Sequence, residues 1–577
     1  MHRLKNRWIG DRAFYAMVLS LAVPIMIQNG ITQFVSLLDN IMVGRIDEAH
    51  LRGVSVANTL IFVFNLAIFG AVSGAGIFGA QFFGSGNREG VQHAFRFKLL
   101  ICAALTVLGV AVFLLFGDEL IMLYLRGEGT EAERQASLVY ARSYLRIILL
   151  SFLPFCLTQI YSGTLRECGQ TVVPMVAGIV SVAVNLCFNT LLIFGYCGFP
   201  KLGSDGAAIA TVLARYVEMA VVMLWTHRNP EKNPFIVGVY RTLRLPKQLA
   251  WQITKKTTPL MINETLWALG VALLSQCYSL SGLDVVAANN ICSTVTNVFS
   301  VVFLALGNSI GIIIGQLLGA DRIEEAKDAD RKLIFFAVST TVVIAAILAA
   351  LSGAIPQIYE VSDGVRSLAA KLLLVAACTM PFDCLANACY FTIRSGGKTL
   401  VTMFFDSFYG LVFTTPLAYL LRLTTGIDIV WLYAVCRAVE LGKGVVGLIL
   451  IKRGYWIHNI VKDQSNEHRV LPEAQPASHF HLLFQAAPSA VPAGYALRRG
   501  RRGGRSGLPD RLARRDEEPA AAERLRPVLH DHGDLGRGLS AARRALLRHH
   551  LLGPHLWHPR RGRHPARPVP PYADAGL

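Results

Sequence analysis

The chain has 577 residues, 53% of them hydrophobic and only 16% charged, with a mean hydropathy of +0.45 and a formal net charge of +18. Soluble domains carry about 25% charged residues and do not grow a single core to this length, so a soluble enzyme or binding module is excluded. Half of the net charge lies in residues 471–577, which hold 18 Arg, no Lys and 9 acids. The other half is what the cytoplasmic loops of a membrane protein need, so no nucleic-acid partner is implied.

In chain order, the basic stretch His2–Arg12 precedes a long apolar run without a small-residue cleavage pattern. It reads as a first span, not as a signal peptide. Apolar runs follow at 14–38, 54–80, 97–117, 140–162, 172–195, 206–226, 258–281, 286–317, 333–352, 368–392, 400–422 and 430–451. Each is predicted helical, because a chain in lipid must satisfy its own backbone hydrogen bonds. The expected fold class is therefore all-α integral membrane, with about twelve transmembrane helices.

Basic residues crowd the N-terminus, the second loop (Arg88, Arg96, Lys98), the central segment (Arg228 to Lys256) and the segment after the last span (Lys452, Arg453, Lys462). The third and seventh loops are acidic (Asp118, Glu119, Glu128, Glu131, Glu133; Asp284). Both termini are thus expected to be cytoplasmic, in the plasma or inner membrane.

The chain repeats itself. At a shift of 235 residues Pro24 falls on Pro259, Gly76-Ile77 on Gly311-Ile312, Gln81 on Gln316 and Gly84 on Gly319. At a shift of 228, Arg166-Glu-Cys-Gly-Gln-Thr171 falls on Arg394-Ser-Gly-Gly-Lys-Thr399. Six helices per repeat makes the halves parallel, with a binding cavity expected between them. The predicted organisation is an N-terminal six-helix lobe (1–226), a cytoplasmic linker (227–257), a C-terminal six-helix lobe (258–462) and an Arg-rich tail (463–577). The tail lacks periodicity. It reads as disordered, or as a GC-rich message translated out of frame.

Ionisable or amide groups inside a span are costly and are candidate functional residues. In the first helix Asp39 follows an uncharged run, and Pro24 removes a backbone hydrogen bond and should bend the helix. Asn185 and Asn189, four apart, share one face of the fifth helix, and Thr211 lies in the sixth. In the second half Glu264 enters the seventh helix and Asp383 lies in the tenth, where the repeat places Phe155 opposite it. A carboxylate can bind Na⁺ or a proton, and amide oxygens are good Na⁺ ligands. The alternative for each is a structural group bonded to a neighbouring helix. The 11 Cys show no ligand spacing, and there is no Walker motif, nucleophile elbow or metal cluster. No enzymatic activity and no cofactor are expected.

Together Leu38-Asp-Asn-Ile-Met-Val-Gly44, Gly79-Ala-Gln-Phe-Phe-Gly-Ser-Gly-Asn87 and its twin Ile314-Gly-Gln-Leu-Leu-Gly-Ala320 resemble motifs of the multidrug and toxic compound extrusion (MATE) family. Leu165-Arg-Glu-Cys-Gly-Gln-Thr-Val-Val-Pro-Met175 and Gly206-Ala-Ala-Ile-Ala-Thr211 extend the likeness, which covers about residues 10–462. The resemblance implies two lobes in a V shape that alternate access and export amphipathic, often cationic, compounds against Na⁺ or H⁺. It implies that Asp39 binds the coupling cation with Asn185, Asn189 and Thr211, the only place for a metal being Na⁺ at the first three. It implies that Pro24 bends helix one and that Asp383, and less securely Glu264, act in the second lobe. Many members carry Asp where this chain has Asn189. The expected partners are membrane lipid and small organic substrates, and the protein is expected to be monomeric. A lipid-linked precursor flippase is the alternative; the small number of mid-span Arg and Lys argues against it.

Overall fold

The computed structural model describes residues 8–44, 48–126 and 130–462; the side chains of 35–41, Asp39 among them, and of 43, 44, 48 and 49 fall outside the description, as does the predicted tail, 463–577. The described residues form twelve long helices. The first six are α1 (Arg12–Gly44), α2 (Glu48–Gly84), α3 (Arg88–Leu125), α4 (Glu131–Glu167), α5 (Val172–Phe194) and α6 (Ser204–Arg228). The second six are α7 (Lys247–Ser279), α8 (Leu283–Gly319), α9 (Ile323–Leu351), α10 (Asp363–Ser395), α11 (Thr399–Thr425) and α12 (Ile429–Lys452). A short 3₁₀ turn, Leu149–Ser151, interrupts α4.

Eleven of these helices, α1 to α11, are long and apolar enough to cross a membrane. The twelfth span expected from the sequence lies in α12. That helix has the length, about 36 Å at 1.5 Å per residue, but carries Arg437, Glu440 and Lys443 in its middle.

Several helices are longer than the apolar runs that announce them. α3 begins at Arg88 and takes in Arg96 and Lys98, which the sequence places in a loop. α7 begins at Lys247, so much of the predicted linker is its first turns. Between α6 and α7, Arg96 Nε donates to the Val239 carbonyl at 2.8 Å and anchors the connecting segment to α3.

The repeat is visible in the packing. α1 packs on α5, and the repeat-related α7 packs on α11. The halves meet through α1 against α8, α7 against α2, and α2 against α8. The first two contacts are exchanged by the repeat and the third maps onto itself. Glycine makes the last approach possible: a Cβ on Gly84 would overlap the Gln316 carbonyl, and one on Gly319 would overlap the Gln81 carbonyl. Two helices can touch backbone to backbone only where side chains are absent.

Candidate functional site

α1 runs through Pro24 as an unbroken helix. Proline has no N–H, so the carbonyl four residues earlier, Ser20, loses its intrahelical donor. Thr171, at the start of α5, supplies one: its hydroxyl donates to the Ser20 oxygen at 3.1 Å. One turn beyond the proline, Gln28 Oε1 accepts from Arg166 Nη2 at 2.6 Å. The Arg166–Thr171 motif therefore holds α1 on both sides of Pro24.

The first-half candidates on α5 and α6 come together. Asn189 is fully buried, and its Nδ2 donates to Asn185 Oδ1 at 3.1 Å. Asn185 Nδ2 donates to Thr211 Oγ1 at 3.3 Å. One turn earlier Ser181 donates to the Ala214 carbonyl, extending a polar seam along α5 and α6. Asp39 stands on α1, which packs against α5.

Between the halves lies a cavity of about 110 Å³ bordered by Arg166 and its repeat mate Arg394, with Glu167 beside Arg166. Arg394 Nη2 donates to the Ser73 carbonyl at 3.0 Å, and its guanidinium lies 5.3 Å from the centre of the Phe391 ring. Beneath this, Lys98 is fully buried, with Nζ 2.6 and 2.7 Å from the two Glu167 oxygens and 3.0 Å from Thr164 Oγ1. The sequence reading missed this pair because Lys98 sits at the edge of an apolar run and looks like a loop charge.

The second half holds the larger charged site. Asp383 on α10 pairs with Arg437 Nη1 on α12 at 3.2 Å. Arg437 also donates to Tyr433 Oη at 2.9 and 3.2 Å. Lys443, two turns on, stands between Glu440, with which it forms a close ion pair, and Asp406 on α11, at 3.7 Å. Asn263 on α7 donates to Asp406 at 3.2 Å, and Thr414 donates to Glu440. Glu264, its chain neighbour, lies within electrostatic reach of Arg394 and Asp406.

Part of α11 is wound as π-helix, Phe404–Phe408 and Gly410–Thr414. This wider winding carries Asp406, Gly410 and Thr414 against α12, a local distortion common at functional sites. The side chains enclose a cavity of about 240 Å³ lined by Asp383, Arg437, Glu440 and Lys443, with Trp267, Tyr278 and Tyr433 as aromatic walls.

Asp383 is thus in a cavity with partners, whereas Arg437, Glu440, Lys443 and Asp406 were not foreseen. Of the cations within helices, Arg215, Arg437 and Lys443 lie well inside their helices, whereas Arg166 and Arg394 stand in last turns. Most are matched by acids, Lys98 by Glu167, Arg215 by Glu218, Arg437 by Asp383 and Lys443 by Glu440. In the second-half cluster Asp383 and Glu440 line the cavity with the two cations, and Asp406 approaches Lys443 from outside that lining.

The sequence model of the MatE family matches residues 24–191 and 259–420, one match in each half. The chain is 25% identical over 397 residues to "Probable multidrug resistance protein NorM" of Thermotoga maritima, covering 67% of this chain and 81% of that one. It is 25% identical over 426 residues to multidrug resistance protein PmpM of Pseudomonas aeruginosa, covering 73% and 86%. Its fold matches a crystal structure of MATE in complex with MaL6, with a TM-score of 0.68 at 16% identity over 77% of this chain and 99% of that one. Paired matches in the two halves, twelve long helices and a polar cavity within the bundle agree: the chain belongs to the MATE family of multi-pass membrane transporters.

Proposed function

We propose that the protein is a secondary active exporter of amphipathic organic compounds, often cations, that antiports them against Na⁺ or H⁺. The observation that carries this reading is the aromatic-walled second-half cavity, which holds the carboxylates Asp383 and Glu440 in its lining within a bundle of membrane-length helices. Carboxylates that can exchange partners and ring faces for an organic group are what such a cavity offers a cationic compound. The relatives' names as multidrug resistance proteins point the same way.

In this reading the lobes 1–226 and 258–462 rock about the linker 227–257, which lies with both termini on the cytoplasmic side of the cell membrane. Asp39, supported by Asn185, Asn189 and Thr211, takes the coupling cation in the first lobe, and Asp383 with Glu264 acts in the second. A coupling ion can drive the cycle only if it binds one state better than the other, and Pro24 supplies α1 with an alternative shape. The protein works as a monomer without a resident cofactor.

The test is accumulation of a fluorescent organic cation in cells lacking their own exporters. Expression should lower accumulation, and Asp383→Asn should restore much of it at equal protein level. Unchanged accumulation on expression would count against export.

A further inference from the structure

We propose that a small inorganic anion binds between Arg166 and Arg394 and clamps the two halves together. The proposal does not depend on which compound is exported.

Arg166 and Arg394 are repeat mates, one in each half, in the last turns of α4 and α10. Both line the cavity of about 110 Å³ between the halves. Two like charges that share a small space away from bulk water repel, and the helix ends on which they stand offset only part of that. Their protein partners are neutral. Arg394 is buried and its Nη2 donates to the Ser73 carbonyl at 3.0 Å; Arg166 Nη2 donates to Gln28 Oε1 at 2.6 Å. Neither guanidinium forms an ion pair among the described residues. Arg166 Nε is buried without a hydrogen-bond partner, which is costly.

The acids nearby are engaged elsewhere. Glu167 is the one carboxylate in the lining, and Lys98 Nζ stands 2.6 and 2.7 Å from its two oxygens. Glu218 is bonded to Arg215 at 2.8 Å. Glu264, in electrostatic reach of Arg394, lies outside the lining. The wall therefore presents two cations and one carboxylate, and that carboxylate has a lysine of its own.

An anion in this cavity meets guanidinium N–H groups from both halves, since each guanidinium carries five. Gln159 adds an amide to the same wall. The volume suits a halide ion with a few waters and is too small for a bulky organic anion. Because one arginine belongs to each half, the complete site exists only while the halves are together. Binding then favours that arrangement over any in which the arginines separate.

The test is thermal unfolding of the purified full-length protein in sodium gluconate, with chloride substituted stepwise. Na⁺ concentration and ionic strength stay fixed, and only the small anion varies. The wild-type midpoint should rise with chloride, along the curve expected of a ligand held by the folded state. Arg394→Gln should raise the chloride concentration needed for a given rise by about tenfold or more, the loss expected for a hydrogen bond to a charged group. Arg166→Gln should do the same from the other half, and serves alone if Arg394→Gln does not fold. Arg394→Lys keeps the charge and should keep a chloride-dependent rise. Bromide, located in crystals by its anomalous scattering, should lie against both guanidiniums. No rise in the wild type, or the same rise in both glutamine variants, would mark a general salt effect and overturn the proposal. Bromide against one guanidinium alone would overturn the clamp.

Discussion

Gln81 and Gln316 occupy equivalent places in the two halves, and each reaches across to the end of a helix in the other half. Gln316 Nε2 donates to the Glu167 carbonyl at 2.7 Å, and Gln81 Nε2 donates to the Ser395 carbonyl at 2.8 Å. Glu167 and Ser395 are themselves repeat mates, and both lie in the last turn of a helix, where carbonyls lack intrahelical partners. Gln81 Oε1 also accepts from the Ile460 N–H at 2.8 Å, tying in the segment after α12. With Gly84 and Gly319 seated against the opposite glutamine's backbone, the halves share a reciprocal seam.

In the proposed alternating-access cycle this seam opens and closes. Gln316→Ala should leave the buried Glu167 carbonyl without this donor, at a cost of about 1–3 kcal/mol. Gly319→Leu should prevent the helices from closing at all. The expected result is a lowered unfolding midpoint for the first and near-complete loss of cation export for the second, with membrane insertion intact. Normal export by Gly319→Leu would show that transport does not require this contact.

The hydroxyl of Thr171 satisfies the carbonyl that Pro24 leaves open, so it should bias the shape of α1. Thr171→Val removes the donor but keeps the volume, so the part-buried Ser20 carbonyl loses a hydrogen bond with a net contribution of about 1 kcal/mol. Export should fall while Thr171→Ser stays near wild type. Equal export by the Val and Ser variants would remove the hydroxyl from the account.

Lys98 is fully buried and Glu167 nearly so at the edge of the cavity, so either charge left alone is costly. Lys98→Met or Glu167→Gln should each destabilise by about 3–5 kcal/mol, and the double variant by much less than the sum. Thermal unfolding of the three variants in detergent checks this, and additive losses would mean the two residues act independently.

These residues also mark what the sequence could and could not reveal. Helices and repeat were legible because apolar runs and glycine positions are local signals, and Asn185 with Asn189 was legible from a four-residue interval. The second-half cluster was not. Asp383 meets Arg437 across 54 residues, and Asp406 approaches Lys443 from a stretch of α11 wound as π-helix. Arg437, Glu440 and Lys443 stand three apart on one helix, a pattern visible in retrospect that the apolar residues around them concealed. Lys98 was hidden differently: whether a lysine at the edge of a span faces water or a buried glutamate depends on where the helix begins.

The central claim is that a cation gradient drives export through acidic residues inside the bundle. The most direct measurement is uptake of a labelled organic cation into liposomes holding inside-out protein, with Na⁺ and H⁺ gradients imposed separately. The wild type should accumulate the compound against its own gradient under one of the two, and Asp39→Asn should bind it without accumulating it. Accumulation by Asp39→Asn at the wild-type rate and equal protein level, or wild-type accumulation with neither gradient present, would contradict the account.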